Sequence, residues 1–243
     1  MLRAIPREVE NSIKFKTLET MKNKQLRIKR KWEKSGLKIS KQLRDIIHGY
    51  IMSDGYVNQR GILTIDQGKK QEKFVLWLES ELKQIQSGPI KEQIRVHPQT
   101  QQKTVSLRFY TKAVLHGFHA MWYQPYQKDG LIRYRKKLPN SVRCFFNEQS
   151  ISVWFAGDGT KIVGSKGAKF EVTTFSVSER LALKKAFLTK FGIRTSIIKS
   201  GTSKKGQTQW ALKIPAQSYA SFRDLITQTE LISSLFSYKL HKK

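Results

Sequence analysis

The chain has few features that would cross-link it covalently or place it in a membrane. Cys144 is its only cysteine, so an intramolecular disulfide is excluded and a reducing, intracellular setting is expected. No apolar run approaches the roughly 20 residues of a transmembrane helix. The first residues show no apolar core followed by a cleavage site, so no secretory signal is expected. His116 and His119 form the only close histidine pair, without two further zinc ligands.

Acidic residues are also scarce. The 243 residues include 18 Asp and Glu against 46 Lys and Arg, which gives a net charge of +28. An excess of this size indicates a polyanionic partner, either nucleic acid or an anionic membrane surface. A hydrophobic content of 39% still allows a folded core. Residues 1–39 are especially basic, and we expect an N-terminal arm that is either solvated or bound to phosphates.

One order of elements occurs twice. An apolar helix predicted at 40–53 ends at Asp54-Gly55, and a second at 148–157 ends at Asp158-Gly159, 104 positions later. Each is followed by a strand region, a helix, a hairpin and a last helix. The later helices are predicted at 71–85, 111–122, 178–191 with Ser178 as N-cap, and 216–225. Each series closes on a basic segment, where Lys137 and Lys239 lie 102 positions apart. This common spacing predicts a duplication, with halves at 40–138 and 139–243.

The two acids stand where a helix disfavours them. Glycines after a helix often take a left-handed conformation, which we predict for Gly55 and Gly159. A carboxylate beside a helix C-terminus, however, meets the negative end of the dipole, at a cost of about 0.3–1 kcal/mol. A divalent metal would offset this repulsion. Asp54 and Asp158 are therefore candidate ligands for Mg²⁺ or Mn²⁺, with the adjacent Ser53 and Gly157 as further candidates.

Small residues indicate how the two helices meet. Gly49 and Ser53 lie four apart on one face, and Val153 and Gly157 hold the same places in the second copy. Small residues let two helices approach closely, although Val153 predicts looser packing at its position. Helices that cross there would present both acids side by side, an arrangement that fits metal-assisted phosphodiester hydrolysis. Basic residues such as Lys137 and Lys239 could stabilise charge on the phosphate, and only their spacing singles them out.

The paired motifs, Ile47–Gly55 and Ile151–Gly159, resemble those of single-chain LAGLIDADG homing endonucleases. The closing Tyr238-Lys239-Leu240 is similar to the intron-encoded organellar subgroup, where this lysine belongs to the active site. The resemblance implies metal binding by Asp54 and Asp158, and a first-half lysine at Lys137 or its neighbour Lys136. It also implies an α+β fold of two pseudo-twofold αββαββα halves, whose antiparallel sheets form a saddle over DNA. A monomer that cuts both strands of a long asymmetric site, in a mitochondrion or chloroplast, is expected.

Polar residues in the strand regions support DNA contact independently. Arginine with guanine and glutamine with adenine are common major-groove pairings, although polar strand faces are often merely solvated. The candidate DNA-binding residues are Gln59, Arg60, Thr64, Asp66, Gln93, Arg95, Gln99, Lys103 and Arg108 in the first half, and Lys161, Lys169, Glu171, Thr173, Arg194, Ser196, Lys199, Gln207, Gln209 and Lys213 in the second.

Three functions fit these observations. The first is a site-specific, metal-dependent double-strand DNA endonuclease that promotes homing of its own intron. The second is a splicing maturase of the same fold, which binds intron RNA and does not need to cut. The third is a basic structural nucleic-acid binder, for which paired acids serve no purpose. The two intact acids favour the endonuclease.

Overall fold

The computed structural model describes residues 39–204 and 206–241, and the residues from Ser40 onward form one compact unit. The predicted basic arm lies outside the described residues, except for Ile39. The first half consists of α1 (Lys41–Met52), β1 (Tyr56–Val57), β2 (Leu63–Gly68), α2 (Glu72–Glu81), β3 (Gln86–Val96), β4 (Lys103–Thr111), α3 (His116–Trp122), β5 (Tyr123–Lys128) and β6 (Leu131–Lys136). The second consists of α4 (Val142–Phe145), α5 (Glu148–Asp158), β7 (Gly159–Lys161), β8 (Ala168–Glu171), α6 (Val177–Phe191), β9 (Ser196–Thr202), β10 (Thr208–Ile214) and α7 (Ala216–Ile226).

Two four-stranded antiparallel sheets repeat one topology. Their strand orders are β1-β2-β4-β3 and β7-β8-β10-β9, so each strand of the first sheet has a counterpart at the same place in the second. Helices α1 and α5 pack against each other between the two sets of elements. The predicted α+β class with two antiparallel sheets is confirmed. None of the helices in the described residues is long and apolar enough to cross a membrane.

Each sheet buries one face under helices. Successive strand residues point to opposite faces, and in β2 Leu63 and Ile65 are buried while Thr64 is half-buried. Helix α2 adds Phe74 and Leu78 to this core. In the second half, the buried rings of Trp154, Phe155, Phe170, Phe187 and Phe222 pack together. The opposite face of each sheet is left to polar side chains.

The last helix of each half is tied to its motif helix at matched positions. Trp122 at the end of α3 donates its indole N–H to His48 Nδ1 of α1, at 2.9 Å. In the second half the Ser152 hydroxyl of α5 donates to the Ile226 carbonyl at the end of α7, at 3.1 Å. His48 and Ser152 lie 104 positions apart, as do Trp122 and Ile226. The predicted repeat therefore extends to single hydrogen bonds.

His48 makes stability depend on pH. Burial, with a smaller contribution from Arg44, lowers its pKa from 6.5 to about 4, against the opposing effect of Asp45. The unfolded chain therefore binds the proton more readily between these values, and the free energy of unfolding falls as pH drops from 6.5 to 4. The full loss is about 3 kcal/mol. Urea unfolding at several pH values measures it, and we expect His48→Gln to flatten this slope. An unchanged slope in the variant would contradict the assignment.

Two predicted boundaries are wrong, and one element was missed. The helix predicted from residue 111 begins at His116, because Thr111 ends β4 and its hydroxyl accepts the Leu63 N–H at 2.9 Å. The N-cap of α6 is Ser176 rather than Ser178, and it forms a capping box with Glu179. The β5–β6 hairpin was not predicted at all.

Candidate active site

The two motif helices touch through their small residues. A Cβ added to Gly49 would lie 2.8 Å from Val153 Cβ and would also meet the Ser150 carbonyl. A Cβ added to Gly157 would lie 2.5 Å from Ser53 Oγ. The expectation of looser packing at Val153 is wrong, because Gly49 stands opposite and leaves room for its side chain. The two helices run in the same direction, so their C-terminal ends emerge together.

The glycines that follow the acids have a different role from the one predicted. Neither Gly55 nor Gly159 has a positive φ, so neither is a left-handed cap. Each is instead packed too closely for a side chain. A Cβ added to Gly55 would lie 2.7 Å from the Tyr50 carbonyl, and one added to Gly159 would lie 2.5 Å from the Phe155 carbonyl. The Asp-Gly pair thus turns the chain tightly from the helix into the first strand.

Asp54 lies exposed at the end of α1 and is held by one neighbour. Gln67 at the end of β2 donates its amide to Asp54 Oδ2 at 2.9 Å, and lies 3.3 Å from the Tyr50 hydroxyl. Sequence reasoning missed Gln67, although Glu171 stands 104 positions later at the end of β8. The two acids therefore have unlike neighbours, an amide beside Asp54 and a carboxylate beside Asp158.

Asp158 is the more buried of the two acids. Burial, together with the negative charges of Asp54 and Glu171, raises its pKa to about 7 against the opposing effect of Lys136 and Lys239. Two carboxylates that face each other in this way repel unless a cation lies between them. The end of the helix pair is therefore a place where a divalent cation would be stabilised.

Two lysines approach the helix ends at equivalent places. Lys136 at the end of β6 donates its ammonium to the carbonyls of Ile51 and Ser53, at 2.6 and 2.8 Å. Lys239 donates to the carbonyls of Ala156 and Gly157, at 2.7 and 3.2 Å. Burial lowers the pKa of both lysines, that of Lys239 to about 8, against the opposing charges of the two acids. Cationic groups thus already meet the negative ends of both helix dipoles.

Of the two alternatives for the first-half lysine, the structure places Lys136 in this position. Lys137 is the next residue along an extended segment, and its backbone N–H bonds the Trp122 carbonyl at 2.7 Å. Successive side chains of an extended segment point to opposite sides, so Lys137 cannot occupy the place taken by Lys136. The matched spacing first assigned to Lys137 and Lys239 belongs to Lys136 and Lys239.

The residues at the helix ends fit a hard divalent cation. Within residues 39–204 and 206–241, no group of three or more His, Cys, Asp or Glu side chains could hold a metal ion. Mg²⁺ takes one or two carboxylates and completes its shell with water and substrate phosphate, so Asp54 and Asp158 suffice. The other metal candidates, Ser53 and Gly157, offer carbonyls that accept hydrogen bonds from Lys136 and Lys239.

The predicted DNA-binding residues divide into groups by position. The exposed sheet faces hold Thr64, Asp66, Gln93, Arg95, Arg108, Lys169, Glu171, Ser196 and Lys213. The connecting segments hold Gln59, Arg60, Gln99, Arg194 and Gln207, while Thr173 follows β8 and Gln209 lies at a β-bulge. Lys103, Lys161 and Lys199 also lie in strands, but on the side of each sheet that the helices cover. The alternation of side chains along the strands therefore points them away from the exposed faces. Tyr56 and Tyr110, which were not predicted, share the exposed face of the first sheet.

A charged cluster orders the middle of the first sheet. Asp66 accepts hydrogen bonds from Arg108 on the neighbouring strand β4 and from Arg95 on β3, one strand further away. Burial alone would raise the pKa of Asp66, but the bonds from Arg108, Ser106 and Arg95 outweigh burial and lower it. Asp66 therefore stays ionised and holds two guanidinium groups over the exposed face. Asp66 was predicted to bind DNA; in the structure it positions these two arginines.

Comparisons with known proteins agree with this architecture. No curated protein matches the chain. Among solved structures, the homing endonuclease I-WcaI, bound to its DNA recognition sequence, matches with a TM-score of 0.70 and 18% identity, over 88% of this chain and 92% of that one. WhiA from Thermatoga maritima matches with a TM-score of 0.48 and 12% identity, over 89% and 68%. An I-DmoI complex with nicked target DNA and manganese gives 0.44 and 13%, over 78% and 97%.

The likeness to I-WcaI shows the fold, since its sequence identity is low. The family itself is shown by a family model that covers most of the chain. The model described as the LAGLIDADG DNA endonuclease family matches residues 44–222, which include α5, both sheets and all of α1 except its first three residues. The chain therefore belongs to the LAGLIDADG DNA endonuclease family.

Proposed function

We propose that the chain is a site-specific endonuclease that hydrolyses both strands of duplex DNA with Mg²⁺ or Mn²⁺. The observation that carries the proposal is the pair of acids at the joined ends of α1 and α5. Burial and their mutual repulsion raise the pKa of Asp158, and each has a half-buried lysine beside it. A protein that only binds nucleic acid gains nothing from acids that repel phosphate at the centre of its basic surface.

In this proposal the helix pair supplies the reacting centre and the two sheets supply the binding surface. A bound divalent ion would activate water and stabilise the leaving oxygen. Asp54, oriented by Gln67, and Asp158 would hold such ions. Lys136 and Lys239 each keep an ammonium group beside the acids, where charge builds on the phosphoryl oxygens during hydrolysis. Guanidinium groups aligned by Asp66 would bind DNA in the first sheet.

The experiment that tests the proposal is cleavage of a defined duplex. If the gene lies in an intron, the DNA that joins the two flanking exons is the candidate target. A plasmid that carries this junction should be linearised by the protein with Mg²⁺ or Mn²⁺ and remain intact with a chelator. A plasmid without the junction is the control. Intact junction DNA under all metal conditions would contradict the proposal.

Adjacent lysines provide a matched pair of variants. Lys136→Met removes the ammonium beside the acids, so we expect the rate of cleavage to fall by about 10²–10³-fold. Lys137→Met removes the same charge one residue away, and we expect a rate within about threefold of the unmodified protein, since surface charges act weakly. Single-turnover cleavage measures both. A larger loss of cleavage rate in Lys137→Met than in Lys136→Met would assign the active-site lysine to Lys137 instead.

We further propose that cleavage serves intron homing in a mitochondrion or chloroplast, and that the chain acts as a monomer. The resemblance to organellar intron-encoded enzymes supports the setting, and two motifs in one chain support the monomer. The alternative is a maturase that assists splicing of its intron. A splicing assay separates the two, because a maturase accelerates splicing even after Asp54→Asn, while an endonuclease leaves the splicing rate unchanged.

A further inference from the structure

The hairpin β5–β6 has two unlike faces. Directly opposed residues of an antiparallel pair share a face, and the faces alternate along the strands. On one face, Tyr123 pairs with the active-site residue Lys136 and lies against β1, where its hydroxyl accepts the Val57 N–H at 3.1 Å. Tyr134 on the same face packs its ring against His119. The other face is exposed and carries Gln124, Tyr126, Lys128, Arg133 and Arg135.

The base of this hairpin adjoins the exposed face of the first sheet. The ring of Tyr56, the first residue of the edge strand β1, packs edge-on against Tyr123 with 5.4 Å between centroids. Tyr56 pairs with Thr64 and therefore shares the face on which the DNA-binding candidates lie. The hairpin thus leaves the fold between the acids and this face, and extends outward over roughly 20 Å.

The tip is a tight turn that is basic and partly apolar. Asp129 and Gly130 both have positive φ values, 53° and 72°, as in a tight two-residue turn. Leu131 and Ile132 follow this turn and are 61% and 63% exposed. Asp129 is the acid of the hairpin, and its 3.8 Å pair with Arg133 is exposed and weak. Two large exposed aliphatic side chains beside cations indicate a binding surface.

The second half uses the equivalent segment in another way. The stretch from Ile226 to Lys239 is about as long as that from Trp122 to Lys136, and each ends at an active-site lysine. In the second half it forms helical turns, and Leu231 and Ile232 are buried at 2% and 0% exposure. Delivery of the lysine therefore does not require a projecting hairpin. The exposed hairpin of the first half therefore indicates a function other than delivery of the lysine.

We propose that the hairpin β5–β6 is a DNA-binding arm that grips the minor groove beside the first-half acid, outside the two sheets. Lys128, Arg133 and Arg135 bind phosphates, and Leu131 and Ile132, which lie on opposite faces of the tip, enter the groove. The inference rests on the proposed function. Charge complementarity selects a nucleic acid, and the apolar tip favours DNA, since leucine and isoleucine wedges insert into minor-groove base steps. The groove of B-DNA is also narrow enough for one ribbon to reach both backbones.

The salt dependence of duplex binding tests the arm without any need for cleavage. The slope of log K against log salt becomes shallower by about 0.9 for each phosphate that the protein no longer neutralises. The slope of the triple variant Lys128→Ala, Arg133→Ala, Arg135→Ala should therefore be shallower by about 2–3. The matched control, Lys73→Ala, Lys184→Ala, Lys185→Ala, removes three exposed cations from α2 and α6 on the covered side of the sheets, and its slope should change by less than about one.

A second variant addresses the tip. Leu131→Ser with Ile132→Ser should weaken duplex binding several-fold and leave the slope unchanged, because no charge is removed. Equal salt-dependence slopes in the cationic variant and its control would overturn the proposed arm. So would a cationic variant that loses affinity for structured RNA and keeps its affinity for duplex DNA. If the tip variant binds duplex DNA as tightly as the unmodified protein, insertion into the groove is overturned. Intact plasmid in the cleavage test, with slopes as expected, contradicts the endonuclease and leaves the arm standing.

Discussion

Asp54→Asn is expected to abolish double-strand cleavage while the protein still binds its DNA. The substitution removes the carboxylate charge and keeps the shape that Gln67 contacts. Loss of a metal-binding acid should lower the cleavage rate by about a thousandfold or more. Affinity for DNA should stay the same or rise slightly, because a negative charge beside the phosphates has been removed. Single-turnover cleavage and an equilibrium binding assay on the same duplex measure the two effects.

A matched control separates this effect from a general change in charge. Asp224 lies exposed on α7 beside Arg223, far along the chain from either motif helix. Asp224→Asn changes the net charge by the same amount and should leave the cleavage rate within about twofold. Full double-strand cleavage by Asp54→Asn would sink the metal-binding role of this acid, whatever the DNA affinity.

Gly49→Ala is expected to be the most destabilising single-methyl change in the motif helices. The added Cβ would meet the backbone carbonyl of Ser150 and the Cβ of Val153, neither of which can move without shifting α5. Overpacking of this kind costs about 3 kcal/mol. Urea unfolding measures the loss, and cleavage should fall with it because the two acids are displaced.

The control is Gly117, a helical glycine with open space around it. A Cβ added to Gly117 in α3 would meet nothing within 4 Å. Since alanine favours the helix over glycine, Gly117→Ala should be neutral or stabilising by up to about 1 kcal/mol. A Gly49→Ala protein as stable as the Gly117→Ala protein would show that the helix pair is looser than the structure indicates.

Elements with local signals could be predicted from the sequence. The apolar spacing of Phe74 and Leu78 predicts α2, and the repeated Asp-Gly pairs predict where the motif helices end. The resemblance to the family followed from these repeats, and the class of fold was implied by that resemblance. One boundary failed because a long-range bond decides it: the Thr111 hydroxyl bonds Leu63 and extends a strand into a predicted helix. The N-cap Ser176 did have a local signal, its capping box with Glu179, which was missed.

The finer parts of the site depend on contacts that have no local signal. Lys136 and Lys137 are alike in sequence, and only the alternation of β6 decides which reaches the acids. Gln67 belongs to the site because β2 ends beside α1, which no pattern of apolar residues reveals. The hairpin did leave one signal, Asp129-Gly130, but Pro125 and the sparse apolar residues of β5 concealed it.

The contact between α1 and α5 also determines which helix each can accept as a partner. Where they meet, a small residue faces a larger one twice, Gly49 with Val153 and Gly157 with Ser53. Since these residues hold equivalent places in the two halves, a pair of second halves would set valine against valine, and a pair of first halves would set glycine against glycine and leave a void. Each motif helix therefore favours the motif helix of the other half over a second copy of itself.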